Sequence, residues 1–168
     1  MKKFFLFLYL CSFLLTGSVF ILSNAMTSEV TPDSISGNGN PFLFPLMILH
    51  PFILFFLYGT TEYSMRYLLK WSSKVIRICA FLAFCLVSLI FVVTFNAVKS
   101  MQAKIIKIND SIDGPNQIGY LNIYTNSLFF NGYTFLMVLL ICFLIGCIWA
   151  LITKKEDPGP IVVKRLKI

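Results

Sequence analysis

A single histidine lies beside a proline within the apolar run Leu46–Phe56, and His50 is the only histidine in the 168-residue chain. An imidazole titrates near neutral pH, and ionisable side chains inside a membrane often mark a proton or ligand pathway. Pro51 removes a backbone donor and crowds the carbonyl four residues before it, so a helix should kink here. We interpret His50 and Pro51 as an intramembrane polar site at a kink. We expect His50 to be a buried hydrogen-bonding residue, and the alternative is a proton switch or ligand contact.

Other reactive groups do not form a recognisable site. The sequence contains no GxSxG, no HExxH, no acidic metal cluster and no phosphate-binding glycine loop. The cysteines all lie in apolar segments, where they favour packing over disulfide or zinc chemistry: Cys11, Cys79, Cys85, Cys142 and Cys147. We therefore predict no catalytic residue, no metal site, no cofactor and no enzyme activity.

Four basic residues recur at helical spacing in the polar segment between two apolar blocks. Arg66, Lys70, Lys74 and Arg77 are spaced four, four and three residues apart, which would place them along one helical stripe. Such a stripe can bind anionic inner-leaflet lipids, at about 1 kcal/mol per basic residue. It is a candidate lipid or partner surface, and the alternative is a loop that only anchors its two flanking helices.

Small residues repeat every fourth position in the last apolar block. Cys142, Gly146 and Ala150 form a small-xxx-small ridge that permits close approach of another helix. The spacing fits packing within one chain as well as assembly with a membrane protein partner or a second copy.

The elements that must carry these residues are transmembrane helices. Hydrophobic residues make up 58% of the chain and charged residues 12%, whereas soluble domains carry about 25% charged residues. The apolar residues form four blocks of roughly twenty, the length that crosses a bilayer core as a helix. We predict an all-α integral membrane protein with a bundle of four transmembrane helices, at 1–25, 41–60, 75–98 and 128–152. Block 1–25 also resembles a signal peptide, but its apolar region is longer than usual, and we favour a retained helix.

The connecting segments are 26–40 and 99–127 outside the membrane, and 61–74 and 153–168 in the cytoplasm. This orientation puts eleven of the 14 Lys and Arg residues inside, leaving Lys99, Lys104 and Lys107 outside. We therefore place a multi-pass protein in the cell membrane with both termini cytoplasmic, or with the N-terminus outside if 1–25 is cleaved. Segment 99–127 fits a small extracytoplasmic β-hairpin or a longer third helix.

These features predict a class of function rather than a reaction. The net charge of +7 lies beside the apolar blocks, and no nucleic-acid-binding motif is present, so a nucleic-acid partner is not expected. We predict a non-catalytic multi-pass protein that acts as an accessory, regulatory or protective membrane component through protein or lipid contacts. The alternative is a small transporter, or an oligomeric channel subunit, for an apolar or small solute.

Overall fold

Helices make up all the regular structure that the computed structural model describes, in residues 2–31, 40–41, 43–108, 114 and 117–156. The six helices follow the chain in this order: α1 Lys2–Ala25, α2 Leu43–Ile48, α3 His50–Leu68, α4 Ser73–Ile108, α5 Asn126–Phe129 and α6 Gly132–Glu156. The all-α prediction is confirmed for this part of the chain. Most of the predicted cytoplasmic tail, residues 157–168, lies outside the described residues.

Three stretches are long and apolar enough to cross a membrane: Lys3–Ala25, Ser73–Ile108 and Asn126–Lys155. The prediction of four such helices is confirmed for these three. Helix α3 differs because its second half contains the polar run Gly59–Glu62 and Arg66, which lower its average hydropathy. The apolar residues before it belong partly to α2, a separate short helix.

The interruption between α2 and α3 lies at Leu49, with φ −88° and ψ 4°, rather than at Pro51 where we expected the kink. Pro51 occupies the first turn of α3, where a missing backbone N–H removes no helical hydrogen bond. Its ring crowds the carbonyl of residue 47, so an unbroken helix through this point is unfavourable. The chain instead ends α2 at Ile48 and restarts the helix at His50.

Helix α4 is 36 residues long, which corresponds to about 54 Å, whereas a bilayer core is about 30 Å thick. Its C-terminal extension carries the buried residues Val98, Gln102 and Ile105, which form one face at helical spacing. Gln102 Nε2 donates a hydrogen bond of 2.8 Å to the carbonyl of Ile118. Residues 99–108 thus form the longer third helix that was the alternative to a hairpin. The described residues of segment 99–127 contain no strand.

Helix α6 packs parallel to α3 and antiparallel to α4, while α1 packs antiparallel to α3. Phenylalanine rings join α1, α3 and α6 near the middle of the structure. Phe56 lies parallel to Phe135 with ring centroids 6.0 Å apart, and Phe13 is 5.7 Å from Phe56. Each such ring pair contributes roughly 0.5–1.5 kcal/mol beyond its buried area.

Candidate functional sites

The small-residue ridge of α6 faces α3. Cys142, Gly146 and Ala150 are all buried. A Cβ added at Gly146 would lie 2.8 Å from Ser64 Cβ and 3.1 Å from both Met65 N and Thr61 O. Two of these three atoms belong to the α3 backbone, so only glycine permits the observed approach of the helices. The ridge thus contacts a helix of the same chain.

Helix α1 is joined to α3 by a second close contact. A Cβ at Gly59 would lie 2.6 Å from Cδ2 of the Tyr9 ring, and Tyr9 Oη forms a 3.1 Å hydrogen bond with Thr60 Oγ1. The buried face of α1 carries Ser12 and Thr16, and Thr16 Oγ1 donates to the Ser12 carbonyl at 2.7 Å. These small side chains allow α1 to lie close to the rest of the structure.

His50 is exposed, and its side chain makes no hydrogen bond to another described residue. The prediction of a buried hydrogen-bonding residue is therefore wrong within the described part of the chain. His50 lies about 9 Å along α3 from Phe56, the residue on which the rings of Phe13 and Phe135 pack, so these rings do not cover it. Pro51 is exposed as well. The pair thus lies at a helix break without enclosing a site.

The four basic residues do not share one helix, so the prediction of a continuous helical stripe is wrong. Arg66 belongs to α3, Lys70 to the turn after it, and Lys74 and Arg77 to α4. All four side chains are exposed. They lie at the same end of the structure because only a short turn separates the end of α3 from the start of α4. We call residues 66–77 with 154–155 the basic end.

Contacts within the basic end hold its helices together. Lys154 Nζ donates a hydrogen bond to the carbonyl of Trp71, which ties α6 to the α3–α4 turn. Arg66 Nε donates to Glu62 Oε1 at 3.0 Å across one helical turn, an exposed pair worth a few tenths of a kcal/mol. Trp71 also packs on the buried core of Leu68, Ile76, Cys147 and Ala150.

The opposite end is a folded polar structure that the sequence analysis missed. We call residues 24–31, 98–108 and 117–131 the cap. Asn24 Nδ2 donates to the Phe130 carbonyl at 2.8 Å, and Asn40 Nδ2 donates to Asn126 Oδ1 at 2.8 Å. No buried side-chain nitrogen or oxygen in the described residues lacks a partner. The buried polar side chains of the cap therefore have a structural role.

A repeated tetrapeptide organises this polar structure. The sequences NIYT at 122–125 and NGYT at 131–134 form the same reciprocal hydrogen bonds. Asn131 Oδ1 accepts from the backbone N–H groups of Tyr133 and Thr134 at 2.9 and 3.1 Å, and Thr134 Oγ1 accepts from Asn131 N at 3.0 Å. This arrangement acts as a capping box at the start of α6. The repeat is the sequence signal by which the two turns could have been found.

A cavity of about 170 Å³ lies between α1, α4 and α6, below α5. It is lined mainly by apolar side chains, among them Phe20, Phe91, Thr94, Phe95, Met137 and Val138. Another lining residue, Thr134, uses its hydroxyl in the hydrogen bonds with Asn131. Phe91 is 58% exposed, so the cavity opens sideways at this residue. The described residues contain no group of three or more side chains suited to holding a metal ion.

Comparisons with protein-family models, with curated proteins and with solved structures give no match to this chain. The class is therefore defined by the structure itself: a helical protein with three helices suited to crossing a membrane.

Proposed function

We propose that the protein is a non-catalytic, multi-pass accessory or regulatory component of a membrane, which acts through contacts with another membrane protein and with lipids. The observation that carries the proposal is the lack of cover on α4. Only 6% of the residues in its most apolar stretch are buried, against 22% for the corresponding stretch of Asn126–Lys155. Among the long helices, α4 packs mainly on α6, which leaves most of its circumference available to a second protein or to lipid.

In the proposed topology, α2 and α3 together form the fourth crossing. Residues 43–68 span at most about 39 Å as a helix, enough for a bilayer core of about 30 Å. The polar residues of α3 are compatible with this position because their hydroxyls bond within the helix: Thr60 Oγ1 donates to the Phe56 carbonyl and Ser64 Oγ to the Thr60 carbonyl, both at 2.8 Å.

We place the basic end in the cytoplasm and the cap outside, as the positive-inside rule requires. At the basic end, Arg66, Lys70, Lys74 and Arg77 would bind anionic inner-leaflet lipids, with about 1 kcal/mol from each residue. Aromatic side chains at the same level support this position. Tyr67 and Trp71 have ring centroids 5.5 Å apart, and such rings favour the membrane–water interface.

The same topology retains α1 in the mature protein. Its contacts with Gly59 and Thr60, and the bond from Asn24 to Phe130, make it part of the packed structure. The intact mass of the purified protein tests this point. We expect 19.1 kDa, the mass of the full chain. Loss of residues 1–25 would show that α1 is a cleaved signal.

In-cell photo-crosslinking tests the accessory function. A photoreactive amino acid at Phe84, on α4, is compared with one at Leu14, on α1; these side chains are 60% and 66% exposed. We expect a stoichiometric adduct with one membrane protein, or with a second copy, from position 84 and lipid adducts alone from position 14. Mass spectrometry then identifies the crosslinked chain.

The second candidate function, a small transporter or channel subunit, is favoured by the apolar cavity between α1, α4 and α6. A cavity of this lining suits an apolar solute. Absence of any protein adduct along α4, together with solute flux in proteoliposomes, would refute the accessory function and support transport.

A further inference from the structure

The lateral cavity has a lysine beside it that forms no ion pair within the described part of the chain. Lys99 is exposed on α4, and its Nζ lies 4.6 Å from the centroid of the Phe95 ring. Phe95 also lines the cavity, and its ring is 5.7 Å from that of Tyr120 in the cap. Lys99 makes no ion pair with another described residue. The Phe95 ring thus contacts both the apolar cavity and the ammonium group of Lys99.

The position of Lys99 matches the level of lipid headgroups. The apolar stretch of α4 ends at Val98, and Lys99 is the first charged residue after it. Lysine next to a transmembrane segment extends its ammonium group toward the interface. The cavity begins one helical turn deeper, at Phe95, and opens sideways at Phe91. A lipid standing beside α4 would therefore have its phosphate near Lys99 and an acyl chain near the opening.

We propose that the cavity binds one acyl chain of an anionic phospholipid whose phosphate contacts Lys99. A cavity with this apolar lining offers water few hydrogen-bond partners and favours an apolar occupant. A helix from a partner protein is too wide for it, because a helix with its side chains measures about 10–12 Å across and the cavity encloses about 170 Å³. A chain of methylene groups fits, and the sideways opening allows it to enter from the bilayer.

This site gives the proposed function a specific lipid ligand. It rests on one part of that function, namely that the protein lies in a membrane. The partner proposed for α4 is tested at Phe84, which does not line the cavity. Lipid binding and protein crosslinking can therefore fail independently of each other.

Native mass spectrometry of the purified, delipidated protein provides the test, with phosphatidylglycerol as the probe and phosphatidylcholine as the zwitterionic comparison. We expect wild type to bind one phosphatidylglycerol in preference to phosphatidylcholine. Val138→Trp fills the cavity and should reduce binding by at least about tenfold. Lys99→Gln should weaken phosphatidylglycerol binding by about fivefold, which corresponds to about 1 kcal/mol for one basic residue at an anionic headgroup.

Two matched controls change similar side chains away from the cavity. Leu89→Trp adds the same ring to the exposed surface of α4, and Lys104→Gln removes an exposed lysine about one and a half turns beyond Lys99. Both should bind phosphatidylglycerol like wild type. Should Val138→Trp fail to fold, as judged by size-exclusion chromatography, Met137→Gln places a polar amide in the lining at similar volume and should lower binding of the acyl chain.

Unchanged phosphatidylglycerol binding in both Lys99→Gln and a folded cavity variant would overturn the proposal. Equal loss in the Leu89→Trp control, or equal affinity of wild type for the two lipids, would also overturn it. Unchanged binding in the variants, or equal loss in the control, would indicate nonspecific partition of lipid onto the apolar surface. Equal affinity for the two lipids would show that the charge of Lys99 does not select the headgroup.

Discussion

The contact between α6 and α3 at Gly146 gives the sharpest stability prediction. Gly146→Ala adds one methyl group, and its Cβ would be 2.8 Å from Ser64 Cβ, whereas carbon atoms pack best at about 3.5–4.0 Å. Two further atoms within 3.1 Å, Met65 N and Thr61 O, are backbone atoms. No side chain can turn away to make room, so α3 and α6 must separate by roughly 0.7–1.2 Å at this point.

We expect Gly146→Ala to lower the free energy of unfolding by about 1–3 kcal/mol, the usual cost of adding a carbon to a well-packed core. Gly146→Leu should cost more, because its longer side chain must also be placed between the helices. The measurement is equilibrium unfolding of the purified protein in mixed micelles, followed by circular dichroism.

Two other glycines provide a graded series of controls. At Gly59 an added Cβ would lie 2.6 Å from the Tyr9 ring, a side chain that can rotate at the cost of its bond to Thr60, so Gly59→Ala should destabilise less. At Gly17 nothing lies within 4 Å of an added Cβ, so Gly17→Ala should be neutral or stabilising by up to about 1 kcal/mol. Equal stability of all three variants would refute the close α3–α6 contact.

Three further predictions concern topology, the histidine and the cap. An impermeant thiol reagent applied to intact cells should label Ser28→Cys and not Ser72→Cys, both exposed positions, above the background of wild type; labelling at 72 alone would reverse the orientation. Since His50 is exposed without a described partner, His50→Leu and His50→Gln should each change the unfolding free energy by less than about 0.5 kcal/mol, and a larger loss in the leucine variant alone would restore a hydrogen-bonding role. Asn131→Ala removes the acceptor at the start of α6 and should cost about 0.5–2 kcal/mol in the same assay, whereas Asn131→Ser should retain most of the stability; equal loss in both variants would contradict the capping role.

The cap shows where sequence reasoning stopped short. In segment 99–127, the turn residues and alternating apolar positions fit a hairpin, whereas the helical spacing of its apolar residues fits a longer helix. The helix continues through this segment because Ile105 packs on Ile118 and Tyr124, and because Gln102 donates a hydrogen bond to the Ile118 carbonyl. Val30, from a distant part of the chain, packs against the same cluster, so local propensity alone does not distinguish the two structures.

His50 and the basic residues show the same limit. Their types and spacing were correctly identified, but their surroundings were not. A break at Leu49 and a turn at 69–72 decide which residues share a helix, and the positions of α1 and α6 decide which part of α3 is covered. The ridge on α6 was easier to predict because a small residue at every fourth position has few uses other than close helix contact.

The sequence by itself determined the class of the protein and the approximate positions of three long apolar helices, because the hydrophobic run length needed to cross a bilayer is a local property of the chain. The tertiary structure decided which helices are neighbours, which glycine permits their approach, and that a cavity opens between α1 and α4 beside Lys99. The physical reason is that a helix apolar on every side carries no amphipathic pattern to mark its packed face. Which face becomes buried depends on the packing of small side chains and aromatic rings from different helices against one another.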